Sequence, residues 1–137
     1  MLNCVGGWDV NRAVDWLRAA ERDLGLAEVA ATSGYHEGAA FHAQQCGEKA
    51  VKAWIQQLHG SVRGHSIIEM LTQVPASEAV PQTLLEAARE LDGVYVTSRY
   101  PNGFASGSPE DYFDEARSRA LISRARNILE FCQKKMP

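Results

Sequence analysis

Four polar residues fall within one eight-residue window: Gln45, Glu48, Lys49 and Lys52, with Gln44 beside them. Arg63 and His65 follow in a glycine-flanked stretch, and Arg99 and Tyr100 stand directly before Pro101. These residue types suit binding of a phosphate-bearing ligand. Lys49, Lys52 and Arg99 supply positive charge, His65 hydrogen bonds, and Tyr100 a stacking face. Each also has a plainer reading. Glu48 and Lys52 at i, i+4 make a helix-surface ion pair worth about 0.3–0.5 kcal/mol. Arg99 would equally cap the carbonyls of a helix end.

Other chemistries lack their parts. Gly60 to Gly64 has no Lys-Ser/Thr to hold a triphosphate. Neither H-E-x-x-H nor G-x-S-x-G occurs. His42 and Cys46 are spaced i, i+4, which is half of a zinc site with no second half in the sequence. No metal and no cofactor is therefore expected, and no catalytic residue is assigned. Cys4, Cys46 and Cys132 form no C-x-x-C pair, and an odd count cannot close a full disulfide set. Buried small hydrophobes are the expected role of Cys46 and Cys132.

The elements that must position these residues fit one domain. The chain has 137 residues, 45% of them apolar, which is enough for one core and little more. A formal charge of −3 has the wrong sign for a protein that coats duplex nucleic acid, so no duplex DNA is expected as a partner. No run of about 18 apolar residues is present to span a membrane. Met1 to Gly7 has no basic n-region and no long apolar run, so a cytoplasmic location is expected.

The periodicity is helical nearly throughout. A first helix, capped by Asp9, reads to about Thr32, with Trp16, Ala19, Ala20, Asp23, Leu24, Ala27 and Ala30 on one stripe and Gly34 as its stop. Asp23 is the single charge in that stripe. A second helix covers about Tyr35 to His59. Ala39, Ala43, Cys46, Gly47, Ala50, Val51, Ala53, Trp54 and Leu58 share one wide arc, while Gln45, Lys49, Lys52 and Gln56 lie opposite and Gln44 and Glu48 sit at its boundary. So many small side chains let other helices approach closely and suggest the central helix of a bundle.

Ser66-Ile67-Ile68-Glu69 has capping-box spacing and opens a short helix that Pro75 ends near Gln73. A fourth helix starts near Val80 with Pro81 in its first turn, presents Leu84, Ala88, Leu91 and Tyr95 inward, and stops before Pro101. Ser108-Pro109-Glu110-Asp111 reads as the start of a last helix running to about Lys135. No segment reads as a convincing strand. The expectation is an all-α, up-and-down bundle of four long helices plus one short helix, spanning residues 1–137 as a single domain.

The run Phe41-His42-Ala43-Gln44-Gln45-Cys46-Gly47-Glu48-Lys49-Ala50-Val51-Lys52-Ala53 resembles the signature second helix of HEPN domains, the higher eukaryote and prokaryote nucleotide-binding domain. The similarity extends to Trp16 through Asp23, to Arg63-Gly64-His65-Ser66, and to Leu91-Asp92 through Arg99-Tyr100-Pro101. The resemblance implies a five-helix bundle that commonly forms homodimers. Its members act as RNA-cutting toxins, as partners of small nucleotidyltransferases, or as nucleotide-binding modules. Nuclease members carry Arg, four to six residues, then His, late in the chain. Here all four histidines, His36, His42, His59 and His65, precede Arg99, and no arginine has a histidine five to seven residues later.

The reading is a non-catalytic nucleotide- or phosphate-binding module whose ligand residues are Gln45, Glu48, Lys49, Lys52, His65, Arg99 and Tyr100. The alternatives are a nucleotidyltransferase partner within a toxin–antitoxin system, or an atypical ribonuclease. Lys52 and Arg99 are expected on one side of the bundle with His65 near them. A homodimer is expected, because Trp8, Phe41, Ile55 and Phe104 exceed what single helix stripes need.

Overall fold

The computed structural model describes residues 12–59 and 64–136. Its helices are α1 (Ala13–Thr32), α2 (His36–His59), α3 (Ile67–Leu71), α4 (Gln82–Asp92) and α5 (Glu115–Lys135). Among the described residues there is no strand, and no helix is long and apolar enough to cross a membrane. The all-α reading with four long helices and one short one therefore holds.

Cross-helix bonds fix the directions. Arg12 N–H donates to Gln56 Oε1 while Asp23 meets both Lys49 and His42, so α1 and α2 run antiparallel. His36 bonds Ser118, and Trp54 meets Phe131 edge-on at 5.4 Å, so α2 and α5 descend together. Glu90 pairs with Arg124 and Glu78 with Lys135, so α4 rises against α5. The order is up, down, up, down, with α2 and α5 forming the central pair.

That closeness depends on small side chains. Ala20, Ala27 and Ala31 of α1 and Ala39, Ala43 and Ala50 of α2 are all buried. At Gly47, a methyl group would stand 2.8 Å from Leu91 Cδ1 and 3.1 Å from Ile67 Cδ1. Glycine there lets α3 and α4 close on α2.

The burial of α2 is wider than its apolar arc implies. Gln56, expected on the outer face, is buried, as are Gln44 and Glu48 from the boundary. Leu58, expected in the arc, is exposed. Helices on several sides leave α2 only a narrow open strip. Ile55, counted above as surplus, is fully buried in the core. Phe104 stacks on Tyr112 at 3.7 Å, while Trp8 and Asp9 lie outside the described residues; α1 begins at Ala13 with Arg12, not Asp9, in its cap position.

Several helix ends differ from expectation. Gly34 does stop α1, with φ +87. α3 ends at Leu71, two residues early, and Pro81 sits just outside α4, where its carbonyl accepts from Leu84 N–H. Ser108 and Asp111 do form a reciprocal capping box, but on a single 3-10 turn, Pro109–Asp111. Phe113 is buried, and the chain breaks to place it there. α5 then starts afresh at Glu115, with Asp114 Oδ1 accepting from Arg117 N–H at 2.8 Å.

The start of α3 shows a partner that local spacing hid. Ser66 Oγ accepts from Glu69 N–H at 3.2 Å, as a capping serine should. The second carboxylate is Asp92 from α4, not Glu69. Its oxygens accept from Ile67 N–H at 2.8 Å, Ile68 N–H at 3.1 Å and the Ser66 hydroxyl at 2.9 Å. One side chain thus satisfies three donors and ties α4 to the residue next to His65. Asp92→Ala should cost about 1–3 kcal/mol of stability, read as a lower urea midpoint with unchanged slope.

Cys46 and Cys132 are buried and free, as expected. Burial, helped by the charge of Asp23, pushes the Cys46 thiol up to about 12. Burial also pushes the Cys132 thiol up. Both stay protonated up to that range, so neither is nucleophilic in the native fold. Alkylation at pH 8 followed by peptide mapping should leave both unlabelled until denaturant is added. Rapid native labelling of either would contradict this burial.

Candidate functional site

One strip of α2, open at Phe41 and Gln45 but closed over Glu48, carries Gln45, Glu48 and Lys52 of the candidate residues. At 100° per residue, Phe41, Gln45, Glu48 and Lys52 fall within a sector of roughly 60°, and the span from Phe41 to Lys52 is roughly 16 Å of helix. Arg99 stands over Phe41 at one end of this strip, and Lys52 occupies the other. Both cations do lie along one side of α2, as expected, but at separate ends of this strip, with His65 beside the Glu48–Lys52 pair.

The Lys52 end is a closed network. Lys52 Nζ donates to Glu48 Oε2 at 2.8 Å and lies 5.1 Å from the centre of the Trp16 ring. Gln44 Nε2 donates to Glu48 Oε1 at 3.1 Å, and Gln45 Nε2 donates to Gln44 Oε1 at 2.7 Å. His65 Nδ1 stands 3.8 Å from Glu48 Oε2, on a side chain that is 77% exposed. The ion pair is not the surface pair of the plainer reading, since its side chains are 12% and 6% exposed. A desolvated pair is held by its added hydrogen bonds. The structure therefore brings Gln45, Glu48, Lys52 and His65 together, with the Lys52 charge matched by Glu48.

Lys49 points elsewhere. Its ammonium lies 2.6 Å from Asp23 Oδ2, across the α1–α2 contact. The other oxygen, Oδ1, lies 3.0 Å from His42 Nδ1. Asp23 is buried, so the lone charge in the apolar stripe of α1 is explained by two partners on α2. A carboxylate on an inward face is a signal visible in the chain, but it does not show which cation or imidazole will answer it. His42, weighed above only as half of a zinc site, is the functional candidate that spacing alone missed. Among the described residues no group of three His, Cys, Asp or Glu side chains is placed to hold a metal ion.

Arg99 differs from both lysines. Its Cζ lies 4.5 Å from the Tyr95 ring centre, 4.8 Å from Tyr100 and 5.0 Å from Phe41. Its Nε donates to Tyr95 O at 3.2 Å, a helix-end contact of the kind the plainer reading foresaw. Its terminal nitrogens have no protein acceptor and no carboxylate partner among the described residues. Three rings and one backbone bond thus fix a guanidinium whose forked end is free. Tyr100 is half exposed beside it. The turn that carries these residues packs on the loop that follows: a methyl group on Gly103 would stand 2.9 Å from Thr97 Cγ2. Arg63 lies outside the described residues.

A helical bundle with this second helix and this Arg-Tyr-Pro step defines a class, and comparison with known proteins agrees. The HEPN domain model matches residues 13–135. The chain belongs to the HEPN domain family. It is similar to the crystal structure of TT1696 from Thermus thermophilus, at 33% identity and a TM-score of 0.89, over 93% of this chain and 100% of that one. It is similar to ST0689, described as an archaeal HEPN homologue, at 39% identity and a TM-score of 0.78, again over 93% and 100%. A protein of Methanocaldococcus jannaschii named "Putative toxin MJ1304" is 23% identical over 134 residues, 90% of this chain and 88% of that one.

Removing Asp23 should expose the cost of its network. Asp23→Ala leaves Lys49 without its counter-ion and His42 without its acceptor. The lysine and histidine side chains are 27% and 31% exposed, so water recovers part of the loss. Destabilisation of about 2 kcal/mol is expected, below the 3–5 of a fully buried pair. A chemical-denaturation midpoint equal to the parent's would show that the network carries no stability.

Proposed function

We propose that this HEPN protein is a non-catalytic module that binds a nucleotide or another phosphate-bearing ligand, with Arg99 as the anion anchor. One observation carries the reading: of Lys49, Lys52 and Arg99, only Arg99 has no carboxylate against it among the described residues. A fork held by aromatic rings has little side-chain entropy left to lose when it takes a phosphate. Tyr100 offers its exposed face to a base. Gln45, Glu48, Lys52 and His65 form a polar wall along the same strip, and Lys49 supports it through Asp23.

A nucleotide present at 100 times its dissociation constant should stabilise the parent by about 2.7 kcal/mol, read as an upward shift of Tm. Arg99→Ala should remove that shift while leaving the ligand-free Tm within a few degrees. A full shift in Arg99→Ala would overturn the assignment. Purified protein should not cleave a generic RNA above background. Cleavage lost in both His65→Ala and Arg99→Ala would support the ribonuclease alternative instead.

The similarity to the protein named as a toxin favours a second reading, a role in a toxin–antitoxin pair with a nucleotidyltransferase partner. The assembly we propose for either role is a homodimer. Val14, Leu26 and Val29 of α1 are exposed apolar side chains at 68%, 49% and 64%, and such residues are covered when a two-fold interface forms. Sedimentation equilibrium should give about twice the 15.1 kDa chain mass; a constant mass near 15.1 kDa would exclude the dimer.

A further inference from the structure

His42 and the Arg99 anchor both pack against the Phe41 ring, and that shared neighbour bears on what a bound ligand must carry. Arg99 Cζ is 5.0 Å from the Phe41 ring centre, and that centre is 5.2 Å from the centre of the His42 ring. Guanidinium and imidazole are therefore at most about 10 Å apart. Asp23 fixes the ring. A carboxylate oxygen only accepts, so His42 Nδ1 must donate to Asp23 Oδ1 across 3.0 Å. In the neutral ring this leaves Nε2 as an acceptor with its lone pair outward. No protein donor meets Nε2 among the described residues, and the side chain is 31% exposed. Lys49 holds the second oxygen of Asp23, which locks the carboxylate in turn.

An oriented acceptor within about 10 Å of a free anion anchor calls for a ligand with an anion and a hydrogen-bond donor at matching separation. We propose that His42 Nε2 accepts a hydrogen bond from a ribose hydroxyl of the ligand whose phosphate Arg99 holds, making the site selective for ribonucleotides. The proposal rests on the Arg99 reading above and adds the sugar. A guanidinium carbon sits about 4 Å from a phosphorus it binds, and an O–H···N bond spans about 2.8 Å. Five bonds join a 5′-phosphorus to the 3′-hydroxyl oxygen of its own ribose, so the three lengths end to end exceed about 10 Å and a bent ligand bridges guanidinium and imidazole.

Calorimetric titration of the full chain tests this at pH 8, above the ordinary imidazole pKa of about 6.5. The probes are the four ribonucleoside 5′-monophosphates, their 2′,3′-dideoxy counterparts and inorganic phosphate. The preferred ribonucleotide should bind at least ten-fold more tightly than its dideoxy form. In His42→Ala the ratio should fall to within two-fold. His42→Gln, whose amide oxygen reaches the place of Nε2, should restore part of it. Nitrogen shifts of the parent should show His42 protonated on Nδ1 and perturbed at Nε2 by the ribonucleotide alone. Equal binding of ribo- and dideoxy forms, or a ratio unchanged in His42→Ala, would overturn the inference. So would protonation on Nε2 in the ligand-free protein. Inorganic phosphate bound through Arg99 without any gain from the sugar would sink this inference while sparing the anchor. No binding of phosphate or nucleotide would remove the anchor reading itself.

Discussion

Helix α2 is enclosed on several sides, so its polar groups must find partners within the protein or along one strip, and among the described residues only the buried Trp54 Nε1–H on it is left without one. Gln44, Glu48 and Gln56 are buried on it, and each has a partner. Small residues make the enclosure possible. Gly47 admits Leu91 and Ile67, and the alanines of α1 and α2 let two backbones approach. Close packing gains apolar burial, but it leaves no water for a charge left unpaired.

The pairing follows from that enclosure. Glu48 takes Lys52, and Asp23 takes Lys49 and His42. Each pair cancels a cation that the sequence offers as a ligand group. Arg99 escapes because it sits beyond the end of α4, where its neighbours among the described residues are rings rather than carboxylates. Rings attract the guanidinium without occupying its donors. Free positive charge on this strip is thus concentrated at one point by the packing of helices that do not themselves touch a ligand.

Asp92 links stability to this arrangement. It closes the start of α3, holding the Ser66 hydroxyl and the backbone two and three residues past His65 to the end of α4. From Asp92 the chain turns through Tyr95 to Arg99, so the same carboxylate sits between both ends of the strip in the chain path. The stacked Phe104 and Tyr112, with the Tyr112 hydroxyl donating to Ser106 O, brace the loop on the far side of Tyr100.

Local patterns in the chain were enough for the fold. Helical spacing, Gly34, Pro75 and the Ser66 cap set four long helices and one short one, because these signals act through backbone geometry within a few residues. The family was legible in the same way, since the run from Phe41 to Ala53 and the step from Arg99 to Pro101 are contiguous. Pairing was not legible. Lys49 and Lys52 look alike in sequence, yet one meets a carboxylate of α1 and the other its own helix. Glu69 had the right spacing to complete the α3 cap, but Asp92, more than twenty residues on, took that place. His42 gained its orientation from Asp23 only once α1 lay across α2. Helical segments and apolar faces depend on near neighbours, so the order of residues carries them unaided. Which charges are neutralised and which stay free was settled by the packing of the helices, because an ion pair is chosen by distance in space and by the loss of water around it.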